Sequence, residues 1–258
     1  MSDLALRPAS FTGDMRAMTA RSARLSIRNV DALLTALFLP IMLMLLFVYL
    51  FGGAIETGTA YVTYVVPGVI LLCAGFGSSL TAVAVVQDMK GGIMDRFRSM
   101  DVSGAAVLAG HVAASVARNL LSTVLVLAIA FLIGFRPQAD AAGWFAAIGL
   151  LLLFVFAFSW VAAAVGLIAR SAEAAGGFSF FVMFLPYPSS AFVPIDTMPS
   201  WIHGFARHQP FTPVIESMRG LLLDQPVGNA PWLALAWCGG ILTVAVTASG
   251  YLFRRRTS

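Results

Sequence analysis

The sequence predicts an all-α membrane protein that crosses a lipid bilayer six times. Hydrophobic residues make up 59% of its 258 residues and charged residues only 11%, whereas a soluble domain carries about 25% charged residues. The apolar residues gather in runs of about 20, the length that a helix needs to cross a bilayer. The basic residues stand at the ends of these runs, as the positive-inside rule describes.

The first predicted element is an amphipathic helix over residues 14–28. Four arginines recur there among methionine, leucine and isoleucine, namely Arg16, Arg21, Arg24 and Arg28. A helix with one basic face and one apolar face lies in the membrane–water interface rather than across the bilayer. We therefore expect this stretch to rest on the membrane surface ahead of the first span.

Six apolar runs are the predicted spans, and they cover residues 33–51, 61–86, 113–135, 144–169, 176–194 and 232–253. The third run includes Arg118 and Asn119, which we expect near the cytoplasmic end of that span. The fifth run is broken near Pro186 and Pro188, because proline removes a helical hydrogen bond. No repeat of fixed period and no linker interrupts the chain, which predicts a single membrane domain over residues 1–258.

The loop between the second and third spans, residues 87–104, has alternating charges and apolar residues every three or four positions. This pattern indicates a short amphipathic helix at the cytoplasmic surface. Two interpretations fit equally well: a helix that closes a loop, and a helix that docks a partner with apolar anchors inside a charged rim. The residues that would make such a contact are Asp88, Met89, Lys90, Gly91, Gly92, Met94, Asp95, Arg96, Phe97 and Arg98.

The segment between the fifth and sixth spans, residues 199–223, is too polar to cross a bilayer and too apolar for a free loop. We expect an extracellular, re-entrant helical hairpin, since irregular backbone at membrane depth occurs only where protein or water surrounds it. Glu216 and Arg219 lie three residues apart and can pair along a helix. Together with Trp201 they form a candidate extracellular gate, while the simpler interpretation is an interfacial ion pair.

The basic residues also predict the orientation. Five arginines precede the first span, three follow the last, and a further basic cluster lies at 90–98. The opposite side has only Arg136, Arg207 and Arg219. Because positive residues favour the cytoplasmic side, both termini are expected in the cytoplasm, which requires an even number of spans.

Motifs for catalysis are not found in the sequence. A nucleotide-binding P-loop needs the pattern GxxxxGK[ST], and the sole lysine, Lys90, stands between Met89 and Gly91. The three histidines lack the HExxH spacing of a zinc site, and Cys73 and Cys238 lie in separate apolar runs. We expect no catalytic residue, no metal site and no cofactor in this chain, and no nucleic-acid partner.

Three segments carry a family resemblance. The first is the amphipathic stretch that enters the first span through Arg28-Asn29. The second is the loop 88–103, in which Gly91-Gly92 and Asp95-Arg96 follow Asp88. The third is 189–222, with Phe-Val-Pro, then Met-Pro-x-Trp, then Arg-Gly-Leu. The chain resembles the ABC-2 type transporter permeases, most closely the daunorubicin-resistance branch of drug exporters. Asp88 stands where that family commonly has glutamate, and His208-Gln209-Pro210 replaces its Asn-Pro step.

The resemblance implies a permease subunit of an ATP-driven exporter in the bacterial cytoplasmic membrane. Two such subunits, identical to each other, would pair with two separate ATP-binding subunits that hold the ATP and magnesium. The loop 88–103 would be the coupling helix in a groove of the ATPase, and the N-terminal helix would clasp the same partner. The implied cargo is a hydrophobic or amphiphilic drug or lipid-like molecule. Membrane lipids would surround the permease subunits.

Other functions stay open from the sequence. A polysaccharide or lipid-linked glycan exporter would line its channel with aromatic residues, whereas this chain has 20 Phe but only five Trp and five Tyr. That balance favours hydrophobic cargo. A membrane-embedded enzyme would need a base beside one of its buried serines, and none stands out. A passive scaffold is the remaining alternative.

Overall fold

The computed structural model describes Phe38, residues 40–90 and residues 104–257. Within these ranges the chain forms helices and loops and no strand. In chain order the helices are α1 (Pro40–Phe51, whose last five residues form a π-helix), α2 (Tyr61–Lys90), α3 (Gly104–Leu132), α4 (Ala141–Ile168), α5 (Ala172–Phe184), α6 (Ser200–His208), α7 (Phe211–Leu223) and α8 (Ala230–Thr257). The amphipathic helix predicted over 14–28, the first part of the first predicted span, and residues 91–98 of the predicted coupling helix lie outside the described residues.

Four helices of the described ranges, α2, α3, α4 and α8, are long and apolar enough to cross a membrane. The prediction of an all-helical membrane protein is therefore confirmed. The described part of the first predicted span, α1, and the helix of the fifth, α5, are apolar but shorter than the roughly 20 residues of a full crossing. The count of six spans consequently depends on these two segments.

Helix α5 begins and ends earlier than the predicted limits of 176–194. It begins after Ser171, whose hydroxyl oxygen accepts a hydrogen bond from the Ala174 amide at 3.2 Å and so caps the helix. It ends at Phe184, two residues before Pro186, because proline has no N–H group with which to continue the helical hydrogen bonds, while Leu185 still has right-handed helical backbone. The chain then continues in turns up to the short 3₁₀ helix Ile195–Thr197.

Helix α3 begins at Gly104, nine residues before the predicted start of the third span at residue 113, and runs unbroken to Leu132. Arg118 is therefore the fifteenth of its 29 residues. At a rise of 1.5 Å per residue, Arg118 lies roughly 21 Å from either end of the helix. Arg118 and Asn119 therefore occupy the middle of α3 rather than its first turns, and their position relative to the cytoplasmic side stays a prediction.

Helix α2 is the centre of the bundle. It packs against α3, α4, α5 and α7, and 78% of its most apolar stretch is buried, compared with 22% for α8. Helix α8 lies at the periphery against α4 and α7. Small residues permit the close packing of α2 and α4, since a Cβ on Gly166 would lie 2.7 Å from the Ala82 carbonyl oxygen.

Helix α7 is a core element, since ten of its 13 residues are buried. The ring of Phe211 meets those of Phe154 and Phe158 on α4 edge to face, with centroids 5.1 and 5.3 Å apart. The start of α7 is stabilised by Gln209, whose side-chain oxygen accepts a hydrogen bond from the Phe211 amide at 3.2 Å. The pair α6–α7 thus inserts its second helix among the spanning helices.

Candidate functional site

The last turn of α2 carries the described part of the predicted docking surface. Helix α2 continues to Lys90, so Asp88, Met89 and Lys90 belong to a helix rather than to a loop. The Asp88 carboxylate is buried, and one of its oxygens lies 3.1 Å from His111 Nε2 on α3. Met89 packs against the cluster that contains Leu108, while Lys90 is exposed.

These contacts give the three residues different functions. Asp88 and Met89 hold the end of α2 against α3, and of the three only Lys90 has an exposed side chain. The contact with His111 therefore anchors Asp88 at the end of α2. The other predicted contact residues, 91–98, lie outside the described residues, so the docking helix stays a prediction.

A layer of polar residues crosses the middle of the bundle where α2, α3 and α4 meet. The Arg118 guanidinium donates to the Gly77 carbonyl oxygen of α2 at 2.9 Å. The Asn119 amide donates to the Ser115 carbonyl oxygen at 2.9 Å. The Ser159 hydroxyl of α4 lies 2.9 Å from the Ser115 hydroxyl. We refer to Gly77, Ser78, Ser115, Arg118, Asn119 and Ser159 as the polar layer.

Close packing around Asn119 defines the polar layer. The Asn119 amide also donates to the Ser78 hydroxyl at 3.4 Å, and a Cβ on Gly77 would overlap its side-chain oxygen. Each polar group left unpaired inside a bilayer costs several kcal/mol, and a charged residue within a spanning helix is by default a hypothesis of function. The polar layer fixes the register of the three central helices and places one cation between them.

Arg219 fastens the α6–α7 pair to the outer part of the bundle. Its Nε donates to the Tyr64 carbonyl oxygen at 3.1 Å, and a terminal nitrogen donates to the Ser190 carbonyl oxygen at 2.6 Å. The guanidinium also lies 3.7 Å from the centre of the Tyr64 ring, a cation–π contact. Burial lowers the pKa of Arg219, and the neighbouring Tyr64 and Glu216 act in the opposite direction.

A second contact reinforces this junction, since the Tyr61 hydroxyl donates to the Phe192 carbonyl oxygen at 2.8 Å. The α6–α7 pair, the turns after α5 and the first two turns of α2 therefore form one joined unit, which we call the outer junction. It lies at the opposite end of α2 from Lys90.

The three predicted gate residues differ in their surroundings. Arg219 is inside the outer junction, whereas Trp201 on α6 is 81% exposed and Glu216 is an exposed residue of α7. Burial nevertheless raises the pKa of the Glu216 carboxyl, and the nearby Arg219 guanidinium partly offsets this effect. Arg219 makes its described hydrogen bonds with backbone carbonyls, so it locks helices together. A gating function for these residues stays a prediction.

Part of this arrangement could not be read from the sequence. Arg118 and Asn119 stand out in the sequence as polar residues in an apolar run, but nothing links them to Ser78 or Ser159 until the helices are paired. Ser115 and Gly77 join them only in the structure. The one signal in the sequence is that three spans each carry a serine at the same height in the bundle, namely Ser78, Ser115 and Ser159. This signal can be recognised only when the direction of each span is known.

Comparison with known proteins agrees with this architecture. The sequence model of the family described as "ABC-2 type transporter" matches residues 14–223. These residues include both the predicted coupling loop and the outer junction. The daunorubicin resistance ABC transporter permease protein DrrB1 of Streptomyces coeruleorubidus is 28% identical over 97% of this chain and 87% of its own length. The probable doxorubicin resistance ABC transporter permease protein DrrC of Mycobacterium tuberculosis is 24% identical over 90% of this chain and 84% of its own.

Proposed function

We propose, since the chain belongs to the ABC-2 type transporter family, that it is the permease subunit of an ATP-driven exporter of hydrophobic or amphiphilic drugs. The observation that carries the proposal is the family match over residues 14–223, joined to nearly full-length similarity to two permeases named for drug resistance. The proposed site of action is the cytoplasmic membrane of a bacterium.

The energy source in this proposal is a separate ATP-binding subunit. The sole lysine of the chain, Lys90, does not stand in a P-loop, so ATP and magnesium would bind to the partner. Two copies of the chain would assemble with two copies of that partner. The residues around 91–98 would enter a groove of the ATP-binding subunit, with the N-terminal amphipathic helix beside them.

Helix α2 is the element that would carry motion across the membrane. It is 30 residues long, or about 45 Å, and joins the proposed docking end at Lys90 to the outer junction at Tyr64. The polar layer contacts the same helix near its middle, where Arg118 donates a hydrogen bond to the Gly77 carbonyl oxygen. A push on the docking end would therefore be passed along α2 to the outer junction, and packed interfaces convert such small shifts into discrete states because they are bistable.

The proposed topology has six spans with both termini in the cytoplasm. Helices α1 and α5 would then complete their crossings with adjoining residues. Lys90 at one end of α2 and Arg254 near the end of α8 would face the cytoplasm, because basic residues favour that side. The outer junction would face the exterior, where Trp201, Glu216 and Arg219 would control release.

ATP-dependent uptake into inside-out vesicles tests the proposed function. Vesicles that contain this chain and its ATP-binding subunit should accumulate daunorubicin when ATP is added. Vesicles with either chain alone, or with a partner whose P-loop lysine is replaced by alanine, should not. Uptake of a lipid-linked glycan without uptake of daunorubicin would instead favour the glycan exporter, and uptake of neither would contradict an exporter of amphiphilic cargo.

A further inference from the structure

A long apolar groove lies between α4 and α8, away from both the polar layer and the outer junction. Its volume is about 680 Å³, within the range of about 300–1,000 Å³ that accommodates a small organic ligand. Its walls include Val161 and Ile168 on α4 and Trp237, Val244 and Leu252 on α8. Several are exposed, Ile168 by 60% and Val244 by 67%, so the groove is open along its length to the membrane.

Small residues create the groove. Ala164 on α4 and Gly240 and Ala248 on α8 all line it, and a Cβ added at Gly240 would meet no atom within 4 Å. The groove residues of α8 recur every three or four positions from Leu233 to Leu252, and 19 rises of 1.5 Å correspond to about 28 Å. That length matches the roughly 30 Å hydrocarbon core of a bilayer.

The chemistry of the lining argues against a drug as the occupant. Every side chain that lines the groove is apolar apart from the indole nitrogen of Trp237. A site that orients a drug-sized molecule includes a few converging polar groups among its apolar walls, and this groove has none along its floor. A hydrocarbon chain needs no such groups.

The groove ends among exposed arginines. Ile168 and Leu252 line the same end, and Arg170 follows Ile168 by two residues. On α8, Arg255 is three residues beyond Leu252, which places it on the same helix face, with Arg254 next to it. All three arginines are exposed. Basic pockets between spanning helices on the cytoplasmic side are sites for anionic lipid headgroups.

We infer that this groove binds an anionic phospholipid of the leaflet on the Arg254 side, which is the cytoplasmic leaflet in the proposed orientation. One acyl chain lies between α4 and α8, and the phosphate group contacts Arg170, Arg254 and Arg255. The bound lipid fills the space between the peripheral helix α8 and the bundle. The inference needs only the membrane location of the chain, so it stands whether or not the cargo is a drug.

Native mass spectrometry of the full chain, purified in detergent and titrated with phosphatidylglycerol or phosphatidylcholine, tests this inference. The wild-type chain should retain phosphatidylglycerol in preference to phosphatidylcholine. Gly240→Leu, or independently Ala248→Leu, should lower the retention of both lipids by a similar factor, because the new side chain occupies the groove. Gly239→Leu is the matched control, since its Cβ also meets no atom within 4 Å but does not line the groove.

The arginines are tested separately from the groove. The double variant Arg254→Gln, Arg255→Gln should lower the preference for phosphatidylglycerol by about fivefold for each arginine, from about 1 kcal/mol for each basic residue near an anionic surface. The control double variant Arg136→Gln, Arg207→Gln removes two exposed cations of the opposite side and should keep the preference.

Three results would overturn the inference. One is equal lipid retention by Gly240→Leu, Ala248→Leu and Gly239→Leu. Another is an unchanged preference for phosphatidylglycerol after both arginines are replaced. The third is the loss of a second protein copy from the spectrum of Gly240→Leu with lipid retention unchanged, which would show that protein occupies the groove. Thermal unfolding of each variant identifies those that are folded and therefore enter the comparison.

Discussion

At the scale of single residues, the fold depends on a few polar side chains placed deep in an apolar bundle. Arg118 and Arg219 each reach across to a backbone carbonyl of α2, at Gly77 and Tyr64. Since backbone carbonyls of a helix can accept a second hydrogen bond, these arginines tie helices together without breaking helical bonds. Both cations therefore hold α2, one midway and one near its outer end.

Replacing Gly77 by alanine should destabilise the chain although alanine is the better helix former. The added Cβ would overlap the side-chain oxygen of Asn119, and overpacking of this kind costs roughly 1–3 kcal/mol. Thermal unfolding can be followed with a thiol-reactive fluorophore, since Cys73 and Cys238 are buried.

The control for this variant is Gly149→Ala on α4, where a Cβ meets no atom within 4 Å. It should raise stability by up to about 1 kcal/mol through helix propensity. If both variants shift the melting temperature in the same direction, the polar layer is not packed as described.

Replacing Arg219 by lysine should weaken the outer junction although the charge is kept. An ammonium group cannot reproduce the two directed hydrogen bonds and the flat contact on Tyr64. The expected loss is roughly 2–3 kcal/mol, seen as a lower melting temperature and faster proteolysis between α6 and α7. Arg207→Lys, whose exposed ion pair with Asp196 contributes little, should leave both measurements near the wild-type values. Equal behaviour of the two variants would contradict the locking function of Arg219.

At the scale of secondary-structure elements, the apolar runs of the sequence predict the long helices because a spanning helix is specified by length and hydrophobicity alone. The sequence also predicts the break after α5, from Pro186 and Pro188. The sequence places Arg118 near one end of its span, whereas the residue lies in the middle of α3. A polar residue in an apolar run suggests the end of a span, and the partner that lets Arg118 lie further in, the Gly77 carbonyl oxygen, is on another helix. The sequence places Asp88 in a loop for the same reason, since its partner His111 lies on another helix.

The turns after α5 should depend on a glycine of α2. A Cβ on Gly68 would lie 2.7 Å from the Ala191 carbonyl oxygen and 2.8 Å from its Cα, and backbone atoms cannot move aside as a side chain can. Gly68→Ala should therefore separate this segment from α2 and destabilise the chain by roughly 1–3 kcal/mol. Gly177→Ala on α5, in open space, is the control. Hydrogen exchange of residues 185–194 that matches the wild type in Gly68→Ala would contradict the close contact.

At the scale of the whole molecule, α2 connects the three regions that the proposed function needs. Its end at Lys90 adjoins the predicted docking helix, its middle carries the polar layer, and its start lies under the outer junction. The chain belongs to the ABC-2 type transporter family, and in the proposed function a separate subunit binds and hydrolyses the ATP. The central claim is that an ATP-binding subunit attaches at residues 91–98.

Co-purification with the ATP-binding subunit tests that claim most directly. Met94→Asp removes an apolar anchor and Arg96→Glu reverses a rim charge, so each should abolish co-purification while membrane insertion and the melting temperature stay unchanged. Arg207→Glu, on the proposed outer side, should retain the partner at the wild-type level. Full retention of the ATP-binding subunit by both Met94→Asp and Arg96→Glu would contradict the account.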